Sequence, residues 1–239
     1  MILNILTTAT PRIDLHEQTL YPWIKELQDS KIYDKINLYI NLDKPKMFTD
    51  AEFFTTKNYL FTNFNFVNII YTECLENTSF SNAAKNVYNS CVTNINHDKP
   101  NHFLWLEDDW LIHTRQDAIN DVRQFIASKK DVLSFGSLYR ITGWPVIFTK
   151  KVFDAIYKKL HLQDVDPEVA MMTAVYDIYD MSRENYPRDS LPENVLFRSS
   201  FCRCIDLGRD WREVKQIFKT NKWDVNQPTW VIEGAATNE

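Results

Sequence analysis

The chain has 239 residues, of which 44% are hydrophobic and 14% aromatic, and its formal net charge is −5. This apolar content excludes a disordered chain, and the mild acidity argues against a protein that coats nucleic acid or anionic membranes. The N-terminus has a short apolar run without a basic leader. We therefore expect no signal peptide, no transmembrane segment, no nucleic-acid partner and a cytoplasmic location.

Strands and helices alternate in the first half of the chain. Apolar runs and helical spacing predict strands over residues 2–8, 36–42, 66–71 and 102–106, and helices over residues 15–27 and 79–96. This alternation is typical of an α/β fold with a mostly parallel central sheet flanked by helices. Ligands of such sheets bind at the carboxyl ends of the strands.

The second half of the chain is more mixed. Its patterns predict helices over residues 117–127 and 150–160, strands over 132–138, 144–148 and 195–207, and a short helix from Asp210. Asp166 before Pro167 predicts another helix start, with aspartate as the N-cap and proline in the first turn. Neither a repeat nor a linker-like composition interrupts the chain, so one domain over residues 1–239 is the simplest organisation.

Glycine occurs only four times, at positions 136, 143, 208 and 234. With these positions the chain cannot contain the glycine-rich phosphate loops of dinucleotide-binding or P-loop proteins, or the nucleophile elbow of hydrolases. A bound phosphate must then be held by arginine, lysine, isolated backbone amides, or a metal ion on carboxylates.

Three consecutive carboxylates, Glu107, Asp108 and Asp109, follow the predicted strand over residues 102–106. In an extended chain the first and third of them point to the same side. Such a cluster is either a solvated acidic turn or a site where a hard cation such as Mn²⁺ or Mg²⁺ meets phosphate oxygens. The tripeptide alone leaves both interpretations open.

The helix over residues 79–96 and the motif Leu106-Glu107-Asp108-Asp109-Trp110 resemble the Asn/Ala-rich helix and D-x-D motif of GT-A glycosyltransferases. The order of elements and the later segment Leu-Gly-Arg-Asp-Trp-Arg at residues 207–212 are similar to small glycosyltransferases of large DNA viruses and phages. The resemblance implies a single-domain GT-A fold, which is a Rossmann-like nucleotide-sugar fold. Residues 1–110 would form its nucleotide-binding half and residues 111–239 its acceptor-binding half.

The same resemblance implies an activity. It implies the metal-dependent transfer of a sugar from a nucleotide-diphosphate sugar, expected to be a UDP-sugar, to a glycan or other hydroxyl acceptor, with inversion. Asp109 and Glu107 would hold Mn²⁺ or Mg²⁺, although glutamate at the first acid departs from the family motif. The donor nucleotide would contact Thr8, Arg12, Asp43, Asn82, Lys85, Glu107 and Asp108.

The resemblance also places the catalytic base at a helix start after the acceptor-side strand. Inverting transfer needs a base opposite the leaving group, and Asp166 and Glu168 have this location. The same two acids also suit an ordinary N-cap and a first turn that complements the helix dipole. Both interpretations stay open from the sequence.

Two further pairs of residues are candidates for substrate binding. Arg209 and Arg212 are three residues apart, so on a helical turn they share a face and can bind a diphosphate, or belong to a charged surface helix. Trp110 and Trp144 are predicted to stack on a sugar ring, unless they are core residues.

Two other classes of function fit the acidic motif. A metal-dependent nuclease or phosphohydrolase also uses acids, but the sequence offers no clear set of acids or histidines that would complete a two-metal site. A non-catalytic sugar-nucleotide or glycan-binding module would keep the fold without turnover. A sugar-nucleotide pyrophosphorylase normally has a glycine-rich N-terminal loop, which this chain lacks.

Overall fold

The computed structural model of the protein describes residues 1–75, 79–136, 145–162, 166–181, 191–199 and 204–215, and the backbone alone of residues 217–219 and 230–232. In chain order the strands are β1 (Ile2–Ala9), β2 (Lys35–Asp43), β3 (Asn68–Cys74), β4 (Asn101–Trp105), β5 (Trp110–Ile112), β6 (Val132–Ser134), β7 (Val146–Thr149), β8 (Leu196–Arg198), β9 (Cys204–Asp206), β10 (Ile217–Lys219) and β11 (Trp230–Ile232). The helices are α1 (Ile13–Gln18), α2 (Leu20–Asp29), α3 (Asp50–Asn63), α4 (Phe80–Asn94), α5 (Arg115–Ser128), α6 (Lys150–Leu162), α7 (Pro167–Ile178) and α8 (Leu207–Val214).

The main sheet has seven strands in the order β3-β2-β1-β4-β7-β6-β8. β7 is antiparallel to both of its neighbours, and all other neighbouring pairs in this sheet are parallel. This arrangement confirms the predicted α/β fold with a mostly parallel central sheet flanked by helices. β5 and β9 form a separate antiparallel pair, as do β10 and β11.

Apolar side chains form two cores, one on each face of the sheet. Leu3 and Ile5 of β1 belong to the core that includes residues of α2, α3 and α5. Leu6 belongs to the opposite core, which includes residues of α4, α6 and α7. This division follows from the alternation of side chains along a strand. Within the described ranges, none of the helices is long and apolar enough to cross a bilayer.

Helix α3 was not predicted from the sequence. Its first turn has a capping box, in which the Thr49 hydroxyl accepts from the Glu52 amide and the Glu52 carboxylate accepts from the Thr49 amide. Phe53 is buried, whereas its neighbour Phe54 and the later Phe61 are exposed. Because the apolar residues lie around the helix and not along one stripe, their spacing gives a weak helical signal.

The end of the chain differs from the sequence expectation. The single strand predicted over residues 195–207 is wrong, because β8 lies in the main sheet while β9 pairs with β5. The last helix begins at Leu207 and not at Asp210. Asp206 causes this earlier start, since its carboxylate accepts from the Arg209 amide at 3.0 Å and caps the helix.

A row of asparagine side chains crosses four strands of the sheet. Asn4, Asn37 and Asn101 are buried, and Asn68 on β3 is exposed. Asn68 donates to Asn37 at 3.0 Å, Asn37 to Asn4 at 2.9 Å, and Asn4 to Asn101 at 3.0 Å. A slip of one residue in any strand would move its asparagine to the other face of the sheet and leave buried amides unpaired. The row therefore fixes the register of β3, β2, β1 and β4.

Candidate active site

The candidate site lies at the carboxyl ends of β1 and β4. The chain leaves β1 towards β2 on one side, while β4 lies on the other side, so the strand order reverses here. In open α/β sheets, a crevice forms at such a switch point and ligands bind in it. The segment after β1, with Thr10 and Arg12, meets the acids after β4 at this edge. The sequence prediction that site residues gather at the carboxyl ends is consistent with this arrangement.

Asp108 is held from three directions by the segment that follows β1. Its carboxylate pairs with Arg12, accepts from the Thr10 amide at 3.0 Å and lies 3.1 Å from His16 Nε2. Its backbone carbonyl accepts from the Thr19 hydroxyl at 2.6 Å. The acid, the arginine and the histidine are all buried. The sequence prediction included Arg12 and Asp108 but missed His16 and Thr19.

The charge of Asp108 follows from these contacts. Burial acts to raise the pKa of Asp108, but the nearby positive charge of Arg12 and the hydrogen bonds from His16 and the Thr10 amide outweigh it and lower the pKa to about 2. Asp108 is thus a carboxylate at neutral pH and can only accept hydrogen bonds, so His16 Nε2 carries the proton. Burial acts to lower the pKa of Arg12, and the two aspartates more than offset it and raise the pKa.

Asp109 contacts two guanidinium groups. Its Oδ2 lies 3.4 Å from Arg12 Nη2 and 3.6 Å from Arg212 Nη1. Burial raises the pKa of Asp109, and the negative charges of Asp108 and Asp206 add to this effect despite the two arginines. The pair of neighbouring acids is therefore asymmetric, since the pKa of Asp108 is lowered and that of Asp109 is raised.

Gly208 allows helix α8 to lie directly on Asp109. A β-carbon added at Gly208 would stand 2.0 Å from Asp109 Oδ2 and 2.6 Å from Cγ, both far inside van der Waals contact. The backbone joins the two segments as well, because the Leu207 amide donates to the Asp109 carbonyl at 3.0 Å. Any other residue at position 208 would displace the helix or the carboxylate.

The aromatic ring of Trp211 fixes the other side of α8. Its Nε1 donates to Asp14 at 3.0 Å, and its ring stacks on Phe48 with a centroid separation of 6.1 Å. The Arg12 guanidinium lies 5.3 Å from the ring centroid, a cation–π geometry. Helix α8 therefore connects the loops that follow β1, β2 and β4.

Asp43, the last residue of β2, lies close enough to Asp108 for the two charges to interact. Burial raises the pKa of Asp43 to about 7, and the charge of Asp108 adds to this effect although a hydrogen bond from Asn41 opposes it. Asn41 donates to Asp43 at 2.6 Å, and Asn86 of α4 donates to Asn41 at 3.1 Å. Asp43 is thus positioned by β2 and α4 together.

The other predicted donor-binding residues lie on the same strands and helices. Thr8 is buried near the end of β1, in register with Asn41. Asn82 and Lys85 are half-buried on α4, where the Asn82 amide donates to the capping hydroxyl of Ser79. Glu107 is half-buried beside Asp108. Their roles in donor binding stay predictions.

The predicted base and sugar-stacking residues have mixed outcomes. Asp166 caps α7, because its carboxylate accepts from the Glu168 amide at 2.6 Å, and this contact confirms the capping interpretation. The role of Asp166 or Glu168 as the catalytic base stays a prediction. Trp110 is half-buried at the start of β5, opposite Asp206. Trp144 lies outside the described residues.

The two predicted diphosphate-binding arginines share α8 but differ in exposure. Arg212 is 14% exposed and contacts Asp109 at 3.6 Å and Asp206 at 3.9 Å. Arg209 is 73% exposed and approaches Asp206 at 4.0 Å. Arg212 thus lies at the boundary between the buried acids and the surface, while Arg209 is a solvated side chain.

The described contacts of Asp109 are with arginine, and they do not favour the predicted Mn²⁺ or Mg²⁺ site on Asp109 and Glu107. Among the residues that the structure describes, no group of three or more histidine, cysteine or acidic side chains is arranged to hold a metal. Both oxygens of Asp108 are already engaged, and Asp109 faces two guanidinium groups. The positive charge at this site comes from arginine.

No protein-family model matches the chain, and no curated protein matches it. Similar solved structures include a mannosyltransferase from Pyrobaculum calidifontis in complex with GDP-Man and Mn²⁺, which is 13% identical over 82% of this chain and 56% of that protein, with a TM-score of 0.47. They also include 4-diphosphocytidyl-2C-methyl-D-erythritol synthase, which is 11% identical over 89% of this chain and 94% of that protein, with a TM-score of 0.49. A third is mannose-6-phosphate isomerase from Helicobacter pylori, which is 11% identical over 83% of this chain and 97% of that protein, with a TM-score of 0.38. This chain spans about half the length of the mannosyltransferase.

Proposed function

We propose that the protein transfers a sugar from a nucleotide-diphosphate sugar to a hydroxyl acceptor. The observation that carries this proposal is the meeting of Asp108, Asp109, Arg12 and Arg212 at the switch point between β1 and β4. This is the place where a nucleotide binds in open α/β sheets. Arg12 lies in the segment after β1, where dinucleotide-binding folds have a glycine-rich loop.

The nucleoside of the donor would lie over the ends of β1 and β2. By analogy with dinucleotide folds, a carboxylate at the end of the second strand binds ribose hydroxyls, and Asp43 has that position. With a pKa near 7, Asp43 can donate or accept a hydrogen bond at neutral pH. Thr8, Asn82 and Lys85 would complete this subsite, so we propose residues 1–110 as the nucleotide-binding half and residues 111–239 as the acceptor-binding half.

The diphosphate would lie beside α8. Arg212 is at the edge of the acid cluster, and Arg209 is one helical turn before it. A planar guanidinium binds two phosphate oxygens at once, and it is the strongest phosphate ligand among side chains that carry no metal. Uridine diphosphate is the donor nucleotide that we propose to test first.

In the proposed reaction, the acceptor oxygen forms a bond to the anomeric carbon while the bond from that carbon to the diphosphate oxygen breaks. The electron pair of the broken bond leaves with the nucleoside diphosphate, where Arg212 stabilises the growing negative charge. The acceptor proton passes to a carboxylate, for which Asp166 or Glu168 is proposed. Attack opposite the leaving group inverts the configuration. Trp110 and Trp144 are proposed to stack on the sugar.

Calorimetry with UDP, GDP and their sugars tests the nucleotide subsite. We expect wild-type protein to bind at least one nucleoside diphosphate, and Asp43→Asn to weaken that binding about tenfold, because an amide has one acceptor oxygen where the carboxylate has two. Asp98→Asn is the matched control, since Asp98 is exposed in the loop before β4 at the other end of the sheet. Equal binding by Asp43→Asn and wild type would contradict the proposed subsite.

A further inference from the structure

Three fixed donors hold the Asp108 carboxylate. Its Oδ1 pairs with Arg12, and its Oδ2 receives the Thr10 amide and His16 Nε2. The acceptor site that these contacts leave is on Oδ1, where a cation would stand beside the positive charge of Arg12. The middle acid of the motif therefore anchors the segment after β1 to the end of β4.

Asp109 presents a different obstacle to a metal ion. Its Oδ2 is 3.4 Å from Arg12 and 3.6 Å from Arg212, and α8 lies directly against it at Gly208. A divalent cation bound to this oxygen would stand next to two guanidinium charges. At such separations in a buried site, these like charges would repel each other. The two arginines thus supply the positive charge that a metal ion would supply.

Arg12 and Arg212 supply this positive charge at different depths in the protein. Arg12 is 2% exposed, so it neutralises the two aspartates without contact to bound ligand. Arg212 is at the surface of the cluster, with the carboxylates of Asp109 and Asp206 on its inner side. A guanidinium has five N–H donors in one plane, so it can contact carboxylates and a diphosphate together.

We infer that Arg212, held by Asp109 and Asp206, is the cation that binds the donor diphosphate, so that donor binding and sugar transfer do not require a divalent metal. This inference rests on the proposed function, and it concerns how that site neutralises its substrate. Arg12 acts as a positioning residue, because it keeps Asp109 in place to orient Arg212.

The test compares protein freed of metal by EDTA with the same protein in excess Mn²⁺. Binding of UDP and GDP is measured by calorimetry, and release of nucleoside diphosphate from their sugars is measured in parallel. We expect binding and release to agree within about twofold between the two conditions, which corresponds to less than about 0.5 kcal/mol. Binding or release that appears only with Mn²⁺ would overturn the inference and leave the proposed function standing. Absence of both under both conditions would overturn the proposed function.

Arg212→Gln separates the role of the guanidinium from general damage to the fold. We expect about tenfold weaker nucleotide binding that Mn²⁺ does not restore, with Arg212→Lys intermediate because it keeps the charge but loses the planar donor set. Arg123→Gln on the exposed surface of α5 is the control. If Arg212→Gln binds nucleotide as the control does while its unfolding midpoint is unchanged, the inference is wrong.

Discussion

Gly208 and Asp109 are in such close contact that the structure has no space for a β-carbon between them. The added atom would lie 2.0 Å from the carboxylate oxygen. The two residues are far apart in the chain, and the pairing of β5 with β9 brings their segments together. Helix α8, with Arg212 and Trp211, therefore depends on a glycine at position 208 for its placement over the acids.

Gly208→Ala should displace α8 from the acid cluster. We expect a loss of about 1–3 kcal/mol in the free energy of unfolding, as is typical of an overpacked site, together with at least tenfold weaker nucleotide binding. Urea unfolding and calorimetry measure the two effects. Val214→Ala is the control, because Val214 is on the same helix and 81% exposed. A Gly208→Ala protein with wild-type stability and binding would show that the close contact is not needed.

Arg12→Met should destabilise the protein by removing the main partner of Asp108. Loss of one member of a buried ion pair costs about 3–5 kcal/mol, because the remaining charge has no compensation. Lys25→Met is the comparison: it removes an exposed pair with Asp29 and should cost less than about 1 kcal/mol. Urea midpoints measure both. Combining Arg12→Met with Asp108→Asn should recover part of the loss, and strictly additive effects would contradict direct coupling.

Asp43 should make the protein less stable as the pH rises. Its pKa is about 7 in the folded protein and near 4 in the unfolded chain, so the folded state binds the proton more tightly. The stabilisation is complete below about pH 4 and is lost as the pH rises through about 7, by at most about 4 kcal/mol. Urea unfolding of wild type and Asp43→Asn across this range should show a smaller decline for the variant. Parallel curves would contradict the assignment.

Asp108 should make the protein less stable as the pH falls. Because its pKa is lowered to about 2, its contribution to stability is present above about pH 4 and is lost as the pH falls towards 2. We expect the free energy of unfolding of Asp108→Asn to depend less steeply on pH between about 4 and 2 than that of wild type. Urea unfolding followed by circular dichroism at several pH values measures this slope. An unchanged slope would mean that the buried contacts of Asp108 do not lower its pKa.

Asn37→Ala should interrupt the row of asparagines in the sheet. It leaves the buried carbonyl of Asn4 without its donor, which costs about 1–3 kcal/mol, whereas the exposed amide of Asn68 can bond to water. Asn120→Ala on the exposed side of α5 is the control. Urea unfolding distinguishes the two variants, and equal midpoints would mean that the row contributes nothing to stability.

Most of the sheet could be predicted from local patterns. The buried strands β1, β2 and β4 are mostly apolar, and the acids after β4 pointed to the edge of the sheet where the candidate site lies. These predictions needed only the period of the strand and the rule that ligands bind at carboxyl ends. Arg12 and Asp43 were expected at this edge because of the resemblance to GT-A glycosyltransferases.

The parts that could not be predicted depend on contacts between distant segments. His16 stands on a six-residue helix, and nothing in its local sequence indicates that its ring contacts Asp108. The contact of Gly208 with Asp109 requires the pairing of β5 with β9, both of which are three residues long. Arg212 was predicted as a diphosphate ligand and Arg12 as a contact of the donor nucleotide, whereas their pairing with the acids emerged only from the fold.

The proposed use of nucleotide-diphosphate sugars without a metal is tested by incubating EDTA-treated protein with UDP- and GDP-sugars. Release of nucleoside diphosphate is measured for the wild type and for an Asp109→Asn variant. We expect steady release by the wild-type protein without added metal, and at least tenfold slower release by the variant, because Arg212 loses the carboxylate that orients it. Wild-type protein that neither binds nor cleaves any of these donors, with or without Mn²⁺, would contradict the claim that this site transfers sugars.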